Sequence, residues 1–358
     1  MTTAASASSV PNFSASTDAT SAPARPWYIV GALFDRLVFI GSPLLAFAFV
    51  ALVASPRAPG GSIAYTGATP PWLILMAALF TFGHVNLTVV RSHINPTVYR
   101  RYRRRMMLAP ALLLLALALS SEVLFVIAPI AVLWDEWHSV MQTFGFGRIY
   151  DSKRGNDPHV GRRLDMGMCF TFEWLPYLVA LTFVRPAEFI PATGFDPSLA
   201  WLHVVADKAA FLRWPLIIGG LAYAVFYVVS YLRLGARGYR IAPAKLALYT
   251  TTGAANILAL SYYSILDGAI IGNLYHASMY VALVWFSERK NLTTSFSLDR
   301  WRFGALATFV VVVGSAGALA WLRLETMQIS WLIAFWLMTS LAHFWFDSFI
   351  WSVRRQEV

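Results

Sequence analysis

Apolar stretches about as long as a bilayer is thick recur along almost the whole chain, and this most restricts what it can fold into. A spanning helix needs ~20 apolar residues. Such stretches fall at roughly 37–54, 71–91, 109–120, 122–149, 166–184, 214–233, 246–264, 266–286, 303–323 and 330–351. Of the 358 residues, 58% are hydrophobic and 13% charged, against ~25% charged in an ordinary soluble domain. Mean hydropathy is +0.58. A soluble core stops growing near this length, so the surplus apolar surface calls for lipid. The expected fold is all-α: a polytopic transmembrane bundle of about eight to ten spans, forming one integral-membrane domain over residues 26–358. The third and fourth stretches read as a tight hairpin around Ser120, Ser121 and Glu122, and a soft boundary between the seventh and eighth falls near Ser264 to Gly268. Residues 1–25, rich in Ser, Thr, Ala and Pro, read as a disordered tail. They lack the basic start and apolar stretch of a signal peptide.

The net charge of +10 does not point to nucleic acid, because the basic residues sit at the ends of the apolar stretches. One set holds Arg100 to Arg105, Lys153, Arg154, Arg162, Arg163, Arg233, Arg237, Arg240, Arg289, Lys290, Arg354 and Arg355. The intervening loops on the other side are poorer in Lys and Arg. Ten spans put the basic set on one side with both termini, and the positive-inside rule makes that side cytoplasmic. The expected location is a bacterial cytoplasmic membrane. The segment Trp27 to Arg36 reads as interfacial, with Asp35 and Arg36 at headgroup level, and Trp201 and Trp214 read as belt residues. A single cysteine, Cys169, excludes an intramolecular disulfide and a Cys-rich metal site.

The histidines carry the functional signal. His159 and His203 fall in loops, and His93 lies at the end of the second stretch. His84, His138, His276 and His343 lie well inside four different stretches, where ionisable groups are costly and face the bundle interior. Each sits at the centre of a polar stripe: Thr81-His84-Thr88, Asp135-His138-Gln142, Asn273-His276-Tyr280 and Ser340-His343-Asp347. Positions three before and four after share a helix face. All four stretches are even-numbered and run in one direction. Each histidine precedes its basic anchor, Arg91, Arg148, Arg289 or Arg354, by seven to thirteen residues, which at 1.5 Å per residue is roughly 10 to 20 Å of depth. The four imidazoles therefore reach a common level, as a metal site requires.

Neutral imidazole binds iron, copper and zinc. The absence of a thiolate or Met stripe disfavours Cu(I). The expected group is a transition metal, most readily iron, held by His84, His138, His276 and His343 with open positions for dioxygen and substrate. Asp135, Gln142, Tyr280 and Asp347 are the candidate catalytic residues. Asp135, Asp347 or Glu173 as ligands would allow a di-iron centre; as outer partners Asp135 or Asp347 would orient a ring. Glu136 reads as pointing away. A salt bridge from Glu173 to Arg148 or Arg163, and one from Asp347 to a rim Arg, are the plain alternatives. His93 is half a turn out of phase with His84 and joins only if the helix breaks between them. The clustered HxxxH and HxxHH boxes of membrane desaturases are absent. The function this implies is a metal-dependent oxygenase or related oxidoreductase acting on a lipid or isoprenoid, with an electron-donor protein as a possible partner. A proton-coupled transporter using a His/Asp relay and a haem-b electron carrier with axial His pairs are the alternatives.

Overall fold

The computed structural model describes residues 27–58, 63, 69–184, 209–326 and 329–351. The expected disordered tail, Trp201, His203, Arg354 and Arg355 lie outside the described residues. All regular structure among the described residues is helical: α1 (Ala32–Ile40) and α2 (Ser42–Val53), α3 (Pro71–Ile94), α4 (Pro96–Leu119), α5 (Ser121–Lys153), α6 (Arg162–Leu181), α7 (Ala210–Ala236), α8 (Pro243–Tyr262), α9 (Ile265–Ser295), α10 (Gly304–Thr326) and α11 (Ser330–Ile350).

Local chemistry sets the breaks. Pro71, Pro96 and Pro243 open helices, where their missing N–H is no loss. The hairpin between α4 and α5 falls at Ser120, whose hydroxyl caps Val123 N at 3.2 Å. The boundary between α8 and α9 is a capping box of Ser264 and Asp267. At the end of α3 the residues Val90–Ile94 form a π turn. Pro96 cannot continue that helix, and Asn95 caps the next one, accepting from Thr97 N and Val98 N at 3.1 Å.

Among the described residues, six helices are each long and apolar enough to cross a membrane: α3, α5, α7, α9, α10 and α11. There are seven if α1 and α2, bent by 55° at Gly41, form one broken span. This is fewer than the eight to ten apolar stretches read from sequence. The difference lies in α4, α6 and α8. Five arginines stand in the first ten residues of α4, so Arg100 to Arg105 belong to a helix and not to a loop as expected. Arg162, Arg163, Asp165 and Glu173 interrupt α6. Lys245, Thr252 and Asn256 of α8 are buried, because α8 packs against α6, α5 and α2. A helix enclosed by protein is released from the apolar requirement that lipid imposes. By contrast α7 turns Ile218, Leu221, Val225 and Leu232 outward, each over 60% exposed, and buries Tyr227 and Tyr231. That outward apolar face suits lipid, and these helices are consistent with an integral membrane protein.

Two charged groups depart from expectation. Asp35, placed by sequence at headgroup level, is fully buried. It accepts from the backbone N–H groups of Ile29, Val30 and Gly31 at 2.6 to 3.2 Å and from Tyr150 OH at 3.0 Å. Arg148, read as a rim anchor, is buried in an ionic network. It donates to Asp151 and Asp165 at 2.7 Å each. Lys245 Nζ reaches Asp151 Oδ2 and Tyr231 OH at 2.8 Å and Asp165 Oδ2 at 3.2 Å, and Tyr227 and Tyr231 donate to Asp165 Oδ1 at 3.0 and 2.6 Å. Two cations and two anions thus tie α5, α6, α7 and α8 together away from water.

Candidate metal centre

Four helices, α3, α5, α9 and α11, each bring one histidine to a common point. His84, His138, His276 and His343 are all buried, with 1 to 6% exposure. Their rings form a closed circuit, with centroids 4.9 Å apart for His84 and His276, 5.1 Å for His276 and His138, 4.6 Å for His138 and His343, and 4.9 Å for His343 and His84. Every neighbouring pair meets edge to face. One nitrogen from each ring lies within 4.8 Å of one from every other. Two imidazole nitrogens on opposite sides of one metal ion stand about 4.2 Å apart, given metal–nitrogen bonds of ~2.1 Å. The four nitrogens lie within a span comparable with that separation.

The hydrogen-bond inventory gives an independent test of fit. Among the described residues, both ring nitrogens of His84 and His276, and Nε2 of His138 and of His343, have no hydrogen-bond partner. A buried polar atom without a partner costs about 1–3 kcal/mol, and six of them in one place need a common explanation. A metal ion accepting one nitrogen lone pair from each ring accounts for four of the six, leaving one nitrogen each of His84 and His276. The four histidines could hold a metal ion.

Around the rings, the other expected residues divide. Tyr280 packs its ring against His84 and His343 at 5.6 and 5.2 Å and donates to Asp347 Oδ1 at 3.0 Å. Trp351 Nε1 donates to the same oxygen at 3.2 Å. Asp347 Oδ2 lies 3.7 Å from both His138 Nε2 and His343 Nδ1, so Asp347 faces the cluster and not a rim arginine. Gln142 does not touch a ring; its Nε2 donates to the backbone carbonyl of His276 at 3.0 Å and fixes α9 against α5. Asp135 is drawn away from the cluster's centre. It lines a separate cavity of about 20 Å³ with Glu136, Ser139, Glu173 and one side of His276, so Glu136 does not point away as its place in the stripe suggested. Glu173 accepts from Ser139 and Tyr275 at 3.0 and 3.3 Å in place of the salt bridge that sequence offered. His93 stays outside the cluster, because the π turn ends α3 before its ring can come into phase.

Thr88 is the residue whose role the polar stripes indicated least. Tyr280 uses its proton on Asp347, so its oxygen is left to accept from Thr88 Oγ1 at 2.8 Å. Thr88 then accepts from His343 Nδ1, with which it is in contact. This chain fixes one tautomer: His343 carries its proton on Nδ1 and presents a bare Nε2. Outer partners of this kind orient a ligand and raise its basicity, and losing one costs 10- to 100-fold in metal affinity. We expect Thr88→Val to weaken metal binding within that range and Thr88→Ser to restore it, measured by chelator competition on the purified protein.

The fold and the site together define a helical membrane protein with a buried four-histidine cluster able to bind a metal ion. No protein-family model matches the chain, and no curated protein or solved structure matches it either.

Proposed function

We propose that this protein is a membrane-embedded non-haem iron oxygenase, or a related oxidoreductase, acting on a lipophilic substrate. The observation that carries this is the convergence of four imidazoles from four helices in the bundle interior, each with at least one ring nitrogen that has no hydrogen-bond partner. The donor set is all nitrogen, which suits iron, copper or zinc, and it leaves open positions on an ion that accepts six ligands. Bound there, iron would supply dioxygen activation. Cys169, the chain's sole thiol, lies in the apolar core with Met168, Tyr249 and neighbours, so a soft Cu(I) site has no support.

A mononuclear centre is favoured. Among the described residues the only group of metal-ligating side chains close enough to share an ion is the four histidines, with no carboxylate in it. Asp347, beside two of the rings, offsets part of a dication's charge, and Tyr280 and Trp351 hold that carboxylate in place. Haem fits less well, because rings in edge-to-face contact at about 5 Å leave no flat slot for a porphyrin. The carboxylate-lined cavity beside His276 is the one feature that favours the proton-coupled carrier reading.

Elemental analysis, an absorption spectrum and oxygen-uptake measurements on the purified protein test the proposal. We expect about one iron per chain, no Soret band, and oxygen uptake that depends on an added unsaturated lipid or isoprenoid. Protein that takes up no iron after reconstitution, or that moves a solute across vesicles without consuming oxygen, overturns the reading.

A further inference from the structure

A second cavity, of about 220 Å³, opens between α3, α4 and α11. Its walls are apolar: Val85, Met106, Pro110, Met338 and Phe346. Val89, also in its lining, is half exposed on the outer face of the bundle, so the cavity communicates with the lipid side. One end is formed by Thr88 and His343, against the histidine cluster. At the other end stands His93, five residues farther along α3, a rise of about 7 Å. Its ring lies 5.7 Å from that of Phe346. The space therefore joins the membrane to the metal centre; of the polar side chains that line it besides Thr88 and His343, Asn86 donates to the Ala316 carbonyl at 3.1 Å and Thr339 to the Trp336 carbonyl at 2.8 Å, and the third is the His93 imidazole.

Which hydrogen-bonding role His93 offers follows from proton counting. Ser92 Oγ has one proton and donates it to the Thr88 carbonyl at 2.7 Å. Its contact with His93 Nδ1, also at 2.7 Å, must then run the other way, with Nδ1–H donating to Ser92 Oγ. A neutral imidazole protonated on Nδ1 keeps Nε2 as an acceptor. The complementary ligand group is a donor on an otherwise apolar molecule.

We propose that this cavity binds a long-chain alcohol: a lipid whose hydroxyl donates to His93 Nε2 and whose hydrocarbon chain runs between α3 and α11 to His343. This names a substrate class for the oxygenase reading and rests on the metal centre lying at the cavity's inner end. Hydroxyl recognition by an acceptor in an apolar cavity discriminates, because a seated analogue without the proton leaves that acceptor unpaired.

The test uses the full chain in lipid nanodiscs and a long-chain primary alcohol with a diazirine in its chain. Crosslinks are mapped by peptide mass spectrometry, with competition by the unlabelled alcohol, its methyl ether and the corresponding fatty acid. We expect label on α3, α4 and α11, and the alcohol to compete about tenfold better than the ether, the usual scale for one buried hydrogen bond. His93→Phe removes that advantage, and Ser92→Ala, which frees the tautomer with little change of shape, reduces it. Equal competition by alcohol and ether, preference for the acid, or label elsewhere overturns the proposal. Protein that takes up no iron after reconstitution yet prefers the alcohol defeats the oxygenase reading and keeps the cavity; iron-loaded protein that does not prefer it defeats the cavity alone.

Discussion

Replacing His276 with alanine is expected to lower bound iron from one ion per chain to below about a tenth of that, with loss of any oxygen uptake. The reason is geometric. His276 closes the ring circuit between His84 and His138, and without its nitrogen only three of the four imidazole donors remain. Structural zinc sites in small peptides contribute on the order of 10–16 kcal/mol, and losing one of four protein ligands removes a large part of a term of that kind. The same holds for His84, His138 and His343. His159, exposed in the loop before α6, is the control, and His159→Ala is expected to keep full occupancy. Inductively coupled plasma mass spectrometry gives the ratio directly. Thermal unfolding gives a second readout, because an ion bound only to the folded state raises its stability by mass action. Full iron in all four alanine variants would mean that the rings only pack.

Asp165→Ala is expected to destabilise the bundle by about 3–5 kcal/mol, the scale on which half of a buried ion pair is missed. Asp165 accepts from Arg148, Lys245, Tyr227 and Tyr231, and both it and Lys245 are fully buried. Without it, two cations share Asp151 alone and two phenols lose their acceptor. The paired change Lys245→Met with Asp165→Leu is expected to be milder than Asp165→Ala alone, since Arg148 and Asp151 then remain matched and the removed pair is replaced by apolar bulk. Reversible unfolding in mixed micelles orders the three proteins. If the double variant is the least stable, the network contributes net attraction beyond charge balance.

This network also shows where sequence reasoning stops. Arg148, Asp151, Asp165 and Lys245 lie near helix ends, which in a membrane protein is where snorkelling anchors belong. Nothing local separates an anchor facing headgroups from one turned inward to a partner on another helix. Asp35 and Arg148 were misplaced for that reason. Three of the apolar stretches fall short of lipid-crossing composition for a related reason: α4, α6 and α8 combine apolar runs with charge, and only their packing shows that protein covers the polar residues of α6 and α8.

The histidine register is the opposite case. A helix repeats every 3.6 residues, so the stripes Thr81-His84-Thr88, Asp135-His138-Gln142, Asn273-His276-Tyr280 and Ser340-His343-Asp347 follow from spacing alone. What spacing leaves open is how far each helix rotates about its own axis. That rotation separates Asp347, beside two imidazoles, from Asp135, which lines another cavity though its stripe looks equivalent. That rotation also decides that Thr88 reaches His343 and that Gln142 meets a carbonyl instead of a ring.

By itself, then, the amino-acid order determined that the chain is helical, that lipid surrounds it, and that four imidazoles lie on inward faces, because each of these depends on composition and on a period within one segment. Which nitrogen of His343 is bare, which carboxylate stands beside the rings, and which charges are hidden were decided only in three dimensions. Those properties belong to pairs of residues 17 to 255 positions apart in the chain, brought together by packing that no single helix encodes.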